Sequence, residues 1–458
     1  MSAKPKRTTF RIRLEEMLVS LRNDIGMGRY APGDFLPSEH QLIEQFSLSK
    51  NSVRKGLEQL VEQGLVEKVP RIGTRVVQNA AAAAVTIRLG YFSTLLEHVN
   101  LMTLLNRFHR TYPGIVVQPV PLPSTRFASE LADFLNAEPI DVVTVNNEMF
   151  ETLLENGPAL SQLEPLAPSG SLYPFLNRPF TEAGALYVQP FVFSPFVLAY
   201  NKVHFRETGL TAPDDSWTWD DVAAASKRLS SSRGHLGFYM HYLSINRWPL
   251  FLLQSGIRFG RSPEGRLAFD RDLLRTAAAT GSSLLAAQNV ASAYLSERDA
   301  DAEALFAQQK VSMIVTSYFS INSLRETDLD YDIAPLPHSG EPATLMLAIG
   351  LAVNKQSGKK QAAKTFVDYC TGEEAQLFIR KTTLSLPSRK EAAEWSGPDG
   401  LNRPSRHEVY RDLAPTYRLY ADMNIRYAEL VRICAELKLY WAGLDDMDTV
   451  SRRIEETV

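Results

Sequence analysis

The chain has 458 residues, a net charge of −3, 45% hydrophobic and 22% charged residues. Such a length exceeds one hydrophobic core and predicts about three compact units of ordinary globular composition, which excludes fibrous and disordered classes. The charge divides unevenly: residues 1–78 carry 13 Lys/Arg against 9 Asp/Glu, and the remainder carries 36 against 43. A basic excess at one end is what phosphate contact requires, although a mildly basic surface would show it too. Cys370 and Cys434 sit inside apolar helical patterns and are expected to be free, buried thiols. The start, Met1 to Thr9, is positive but has no apolar run behind it, and no stretch approaches a membrane span, so a cytoplasmic protein is expected.

In chain order, Phe10, Leu14, Leu18, Leu21 and Ile25 recur at helical spacing and predict a first helix over 10–25. Gly26, Gly28, Pro32 and Gly33 break it. Ser38 with Gln41 three residues on forms a capping box for a short second helix that turns Leu42 and Phe46 inward. Ser49 caps a third helix, whose buried stripe is predicted as Val53, Leu57, Leu60 and Val61, and Gly64 ends it. Leu65–Val69 and Arg75–Val77 are short strands joined through Pro70, Arg71, Ile72, Gly73 and Thr74. This succession predicts a winged helix-turn-helix of the α+β class, with one helix in the DNA major groove and a wing beside it.

The first turn of the third helix presents Ser49, Lys50, Asn51, Ser52 and Arg54. Arg and Lys suit the guanine O6/N7 edge, Asn suits adenine or a phosphate, and the helix N-terminus offers backbone N–H groups. Ser38 at the second helix start and Arg71 in the wing turn complete the candidates read directly. The bland alternative is that Lys50 and Lys55 are solvated charges and Ser49 only a cap.

Residues 79–85 form an Ala-rich linker between a head (8–78) and a body (86–458). From Thr86 strands alternate with helices: strand Thr86–Phe92, helix Glu97–Tyr112, strand Ile115–Val120, a helix near 126–136, and strand Asp141–Val145. That order implies a parallel sheet with ligands outside the carboxyl ends of its strands, where Tyr91, Ser93, Asn146 and Asn147 fall. A second unit begins near Phe193–Asn201, and Leu345–Val353 returns to the first sheet. The body therefore divides into lobe 1 (about 86–193 and 345–395) and lobe 2 (about 194–344 and 396–458). In lobe 2 the crowded stretch His241, Tyr242, Arg247, Trp248, with Tyr318 further on, offers flat faces and planar polar groups for sugar hydroxyls. A helix start with core aromatics fits that stretch equally well.

Two families are resembled. Residues 10–77 resemble the winged helix-turn-helix of GntR-type transcription regulators, through Leu36-Pro-Ser-Glu, Leu48-Ser-Lys-Asn-Ser-Val-Arg-Lys-Gly-Leu-Glu-Gln-Leu and Ile72-Gly-Thr-Arg-Val. The resemblance implies that Lys50, Asn51, Ser52 and Arg54 contact DNA, with His40 in the second helix and Gly73 at the wing tip. Family members often carry Arg where His40 and Lys50 stand. Residues 86 onward resemble extracellular solute-binding proteins of the maltose-binding-protein-like class. Phe108-His-Arg-Thr-Tyr-Pro-Gly-Ile, Leu198-Ala-Tyr-Asn-Lys-Val-His-Phe, Leu305-Phe-Ala-Gln-Gln-Lys-Val-Ser-Met and Tyr331-Asp-Ile-Ala-Pro-Leu-Pro carry this likeness. It implies a two-lobed α/β, periplasmic-binding-protein-like (type II) domain whose lobes close on a small carbohydrate. Here Ser317-Tyr318-Phe319 stand where a Gly-Trp-like motif is usual.

The sequence thus predicts a non-enzymatic transcription regulator acting on double-stranded operator DNA. It would act as a homodimer, since operators of such folds are usually palindromic. Two other functions compete: an aminotransferase-like fusion using pyridoxal phosphate, and a transport component without DNA binding. No Lys sits in a recognisable phosphate cradle, and the eight His residues lack ligand spacing, so no cofactor and no metal are expected.

Overall fold

The computed structural model of the chain describes residues 29–70, 72–77, 84–122, 140–155, 157–230, 235–287, 298–338 and 340–457. It also describes positions 13, 14, 17, 18, 20–22, 24, 25, 131 and 135. Phe10, Arg71, and most of the Ala-rich segment and of the helix expected near 126–136, lie outside the described residues.

The described positions from 13 to 25 are helical. They are followed by α1 (Glu39–Phe46), α2 (Lys50–Glu62), β1 (Val66–Val69) and β2 (Gly73–Val76). Both expected caps form. Ser38 Oγ accepts from the Gln41 N–H at 3.3 Å while Gln41 Oε1 accepts from the Ser38 N–H at 2.9 Å. Ser49 Oγ accepts from the Ser52 N–H at 3.3 Å. The hairpin pairs Val66 with Val76 and Val69 with Gly73. Met17, Leu18, Leu21, Ile25, Leu42, Val53, Leu57 and Leu60 make one small core. Val61 corrects the predicted stripe, being 37% exposed. At 100° per residue it stands about 80° round the helix from Val53, whereas Leu60 stands about 20° away.

The body is built on a continuous sheet. Strands β3 (Val85–Tyr91), β4 (Ile115–Pro121) and β5 (Val142–Asn146) are mutually parallel in the order β4-β3-β5. The long strand β6 (Gln189–Asn201) leads to β7 (Leu236–Tyr239), β8 (Val311–Ser317), β9 (Tyr331–Ala334) and β10 (Thr344–Val353). Strand β10 pairs antiparallel with β5 over Ile349–Val353 and with β6 over Met346–Leu351. Beyond Pro195, β6 pairs instead with β8 and β9. The two strands β6 and β10 thus run from one lobe into the other. Every residue of β6 is buried, as a strand covered on both faces requires. Phe193, Val197 and Ala199 face one core, and Phe196, Leu198 and Tyr200 face another, following the two-residue period of a strand.

Helix α3 (Leu101–Thr111) packs its Leu104, Leu105 and Phe108 on lobe 1 together with Phe366 and Ile379. In lobe 2, α4 (Trp219–Ser230), α5 (Pro249–Ser255), α6 (Arg271–Ala287) and α7 (Tyr427–Trp441) share a second core. Residues 409–419 join the core that serves both lobes, while Tyr420 to Ile454 pack on lobe 2. Gly237 is needed for close contact in β7: a Cβ there would stand 2.1 Å from the Ser226 carbonyl oxygen. Cys370 and Cys434 are free and buried.

Candidate functional site

The head exposes the front of α2. Lys50, Asn51, Arg54 and Lys55 are exposed, whereas Ser52 is buried and its hydroxyl lies 2.7 Å from that of Ser49. Ser52 therefore corrects the contact set inferred for that turn: its oxygen is spent on the cap. Arg54 Nε donates to both Glu39 oxygens, at 3.1 and 2.9 Å. His40 is exposed and its ring stands 3.6 Å from Glu44, one helical turn on. Gly73 begins the second wing strand beside Ile72, whose side chain is 70% exposed. Ser38 is exposed at the start of α1.

Where the lobes face each other, the helix 147–155 meets the N-terminal end of α7. The Tyr427 N–H donates to Glu155 Oε1 at 2.9 Å, and Arg178 ion-pairs with Asp422. Elsewhere between the lobes His98 stacks on Phe319, ring centres 4.6 Å apart. Burial holds His98 down at about 4, so that ring is neutral near pH 7. Glu148 and Glu151 stand one turn apart on the helix. Burial pushes Glu148 up to about 7, with the Tyr427 hydroxyl partly offsetting it and Asp299 adding to it. Glu151 rises to about 8 through burial first and the neighbouring Glu148 second. Across from them Tyr420 donates its hydroxyl to the Ile245 carbonyl at 2.7 Å, which seats the 241–248 loop beneath it.

The expected ligand residues divide. Asn146 accepts the Met149 N–H at 2.8 Å and caps the acidic helix. Ser93 is exposed, whereas Tyr91, at the end of β3, is buried in the lobe 1 core, which corrects its place on the cleft wall. His241 borders the crevice, with Nδ1 3.1 Å from Asp299 Oδ1. The other five are interior, correcting the picture of a polar cleft wall. Asn147 is fully buried, and its Oδ1 accepts the Ala348 N–H at 2.9 Å, tying helix to crossover strand. Tyr318 is fully buried, donating to the His407 carbonyl at 2.6 Å. Tyr242 and Trp248 lie in the lobe 2 core, Trp248 edge-on to Trp441. Arg247, 1% exposed, reaches Asp299 at 2.6 Å and Glu303 at 3.1 Å. Burial opposes ionisation of Asp299, but Arg247 and hydrogen bonds from His241 and Ser244 outweigh it and hold the carboxyl at about 2.

Glu148, Glu151, Tyr420 and Tyr427 were not singled out from the sequence. The acids at 148, 151 and 155 share one helix face directly after a strand end, which is a readable signal. The tyrosines carry none, because they arrive from more than 260 residues further along the chain. A separate polar opening of about 500 Å³ lies by Lys202, Arg325, Asp330 and Arg403, where Lys202 pairs with Asp330, Arg325 with Glu326 and Arg403 with Asp399. Among the described residues no group of three or more His, Cys, Asp or Glu could hold a metal ion. Nor is any helix there long and apolar enough to cross a membrane.

Residues 96–377 match the family of bacterial extracellular solute-binding proteins, which is more than half of the chain. The chain belongs to that family. Its head is a GntR-family domain, matching the bacterial regulatory proteins of that family over residues 15–76. The solute-binding body superposes on a Listeria monocytogenes ABC substrate-binding protein in complex with cycloalternan. There the identity is 20% and the TM-score 0.65, covering 82% of this chain and 98% of that one. The GacH receptor of Streptomyces glaucescens gives 16% identity and a TM-score of 0.69, covering 82% and 97%. Maltose-bound MalE3 of T. maritima gives 19% and 0.66, covering 82% and 99%. At such identities the likeness shows the fold.

The head is 48% identical over 53 residues to the uncharacterized regulator YieP of Escherichia coli, 12% of this chain and 23% of that protein. It is 43% identical over 59 residues to the E. coli repressor MngR of the mannosyl-D-glycerate transport/metabolism system, 13% and 25%. The chain spans between 23% and 37% of the length of these curated relatives and PhnF of E. coli. Residues 96–377 match the solute-binding family, where the pyridoxal-phosphate alternative called for an aminotransferase-like domain.

Proposed function

We propose that this DNA-binding regulator senses a small polyhydroxyl ligand, a sugar or oligosaccharide, in the crevice between its lobes. The observation that carries the reading is the pairing, in one chain, of an exposed α2 front with a two-lobed solute-binding body. Lys50, Asn51 and Arg54 would meet base edges and phosphates, His40, Gly73 and Arg71 would add contacts, and Ser38 and Ser49 shape the helix starts. Glu148, Glu151, Tyr427 and His241, with Asn146 at the start of the same helix and Ser93 exposed after β3, combine acceptors and ring faces suited to hydroxylated rings.

Hinge bending at β6 and β10 would close the lobes on the ligand. Closure can shift operator affinity only by the ligand's preference for the closed state, about 1–3 kcal/mol in typical couplings. A homodimer in the cytoplasm, bound to a palindromic operator, completes the proposal. Transport without DNA work is the second reading, and the exposed cations of α2 disfavour it. A thermal-shift screen of the full chain against mono- and oligosaccharides tests the ligand class. A screen in which no saccharide raises the melting temperature would remove the carbohydrate reading.

A further inference from the structure

Arg22, in the first helix of the head, is 3% exposed although it carries a charge. Its Nε donates to Gln63 Oε1 at 2.9 Å inside the head. Its Nη1 donates to Oδ1 of Asn106, on α3 of lobe 1. A guanidinium removed from water costs several kcal/mol unless its hydrogen bonds are met, and here part of that compensation comes from the other domain. The same guanidinium reaches further into lobe 1. His109 accepts the Val117 N–H on its Nε2 at 2.9 Å, and burial, then Arg22, hold its ring down at about 3. His109 is therefore neutral near pH 7, as a ring beside a fixed cation must be.

The rest of the seam is loosely filled. The head core around Leu21, Ile25 and Leu60 and the lobe 1 core around Leu104 and Phe108 stay separate clusters among the described residues. Between them lies a cavity of about 330 Å³, walled by Ile25 and Leu65 from the head, Ala84 from the linker, and Pro113 and Ile115 from lobe 1. Two domains joined without a large apolar interface are expected to move relative to each other. A planar, multi-donor guanidinium gives such a joint an orientation, which a sliding apolar contact does not.

We propose that Arg22 is a positioning residue, a polar latch that seats the DNA-binding head on lobe 1 in one orientation through Asn106. The head then travels with lobe 1, and a ligand-driven closure moves lobe 2 against that pair. Release of the latch would free the head without unfolding either domain. This device is independent of what the crevice binds and of which operator is read.

The test uses spin labels on the full-length chain at Gln45→Cys in α1 and Gln361→Cys on lobe 1, both exposed, with Cys370 and Cys434 buried and unreactive. Double electron–electron resonance should give one narrow distance peak in the doubly labelled parent. Asn106→Leu, which leaves the head untouched, should broaden or displace that peak, and Arg22→Met should do the same. Far-ultraviolet circular dichroism of each variant should match the parent. A parent distribution already as broad as the variants', or folded variants that both keep the parent peak, would overturn the latch. Neither DNA nor ligand enters the measurement, so its failure would leave the sensing proposal standing.

Discussion

Arg54 of the recognition helix is held by Glu39 of the preceding helix, Nε to Oε2 at 2.9 Å, with both side chains partly in solvent. In the free protein the cation proposed to read guanine is therefore occupied by a carboxylate of its own head. DNA bound as proposed would have to displace that partner. An exposed ion pair of this sort is worth about 0–1 kcal/mol, so the exchange is easy. Glu39→Gln is expected to tighten binding to any duplex by up to about 5-fold, the equivalent of ~1 kcal/mol. Fluorescence anisotropy with an unrelated duplex measures it, and weaker binding would contradict the arrangement.

Arg54→Ala should cost about 1–3 kcal/mol of operator affinity, roughly 5- to 150-fold. Because the side chain is exposed, the melting temperature should stay unchanged. The operator would first be selected from random-sequence duplexes. Unaltered affinity would move the reading function to other residues of α2 or to the wing.

The acidic face of the interlobe crevice predicts a pH dependence. Glu148 and Glu151 titrate at about 7 and 8, above the ordinary glutamate value of 4.5. A carboxyl whose pKa is raised on folding is happiest protonated in the native state. Its ionisation therefore erodes stability as pH rises from about 4.5, and the loss levels off above about 8. Melting should fall between pH 6 and pH 9. Glu151→Gln should flatten that fall and raise the melting temperature at pH 9 by about 2–4 °C. A variant with the parent's pH profile would show that Glu151 ionises freely.

The Arg247 ion cluster gives a stability prediction. Arg247→Leu leaves Glu303, 1% exposed, and Asp299 without their shared cation. Removing one partner of a buried ion pair costs about 3–5 kcal/mol. A urea unfolding curve should show the midpoint shift, and a Glu303→Gln second substitution should return part of it. A loss below about 1 kcal/mol would mean that water reaches the pair.

Legibility in the sequence followed the range of the interaction. The Ser38 and Ser49 caps act over three residues, and both appear where the spacing puts them. The parallel pairing of the first three lobe 1 strands was readable because each parallel strand needs a crossover of its own, whereas their order in the sheet was not. Aromatic residues were the harder case, since a core ring and a ligand-facing ring look alike in one dimension. Tyr318 is interior because His407, 89 residues later, takes its hydroxyl. Arg247 looked like a ligand residue, and only the contacts of Asp299 and Glu303 from a later segment make it structural. Tyr420 and Tyr427 entered the site by the same long route.

Linkage between the two halves is the claim that matters most, and operator affinity measured as a function of saccharide concentration tests it directly. Anisotropy titrations of the full chain on its selected operator would be run with each saccharide that raises the melting temperature. At least one of them should change operator affinity by about 5- to 150-fold, over the same concentrations that stabilise the protein. Saccharides that stabilise the body while operator affinity stays constant would contradict that linkage.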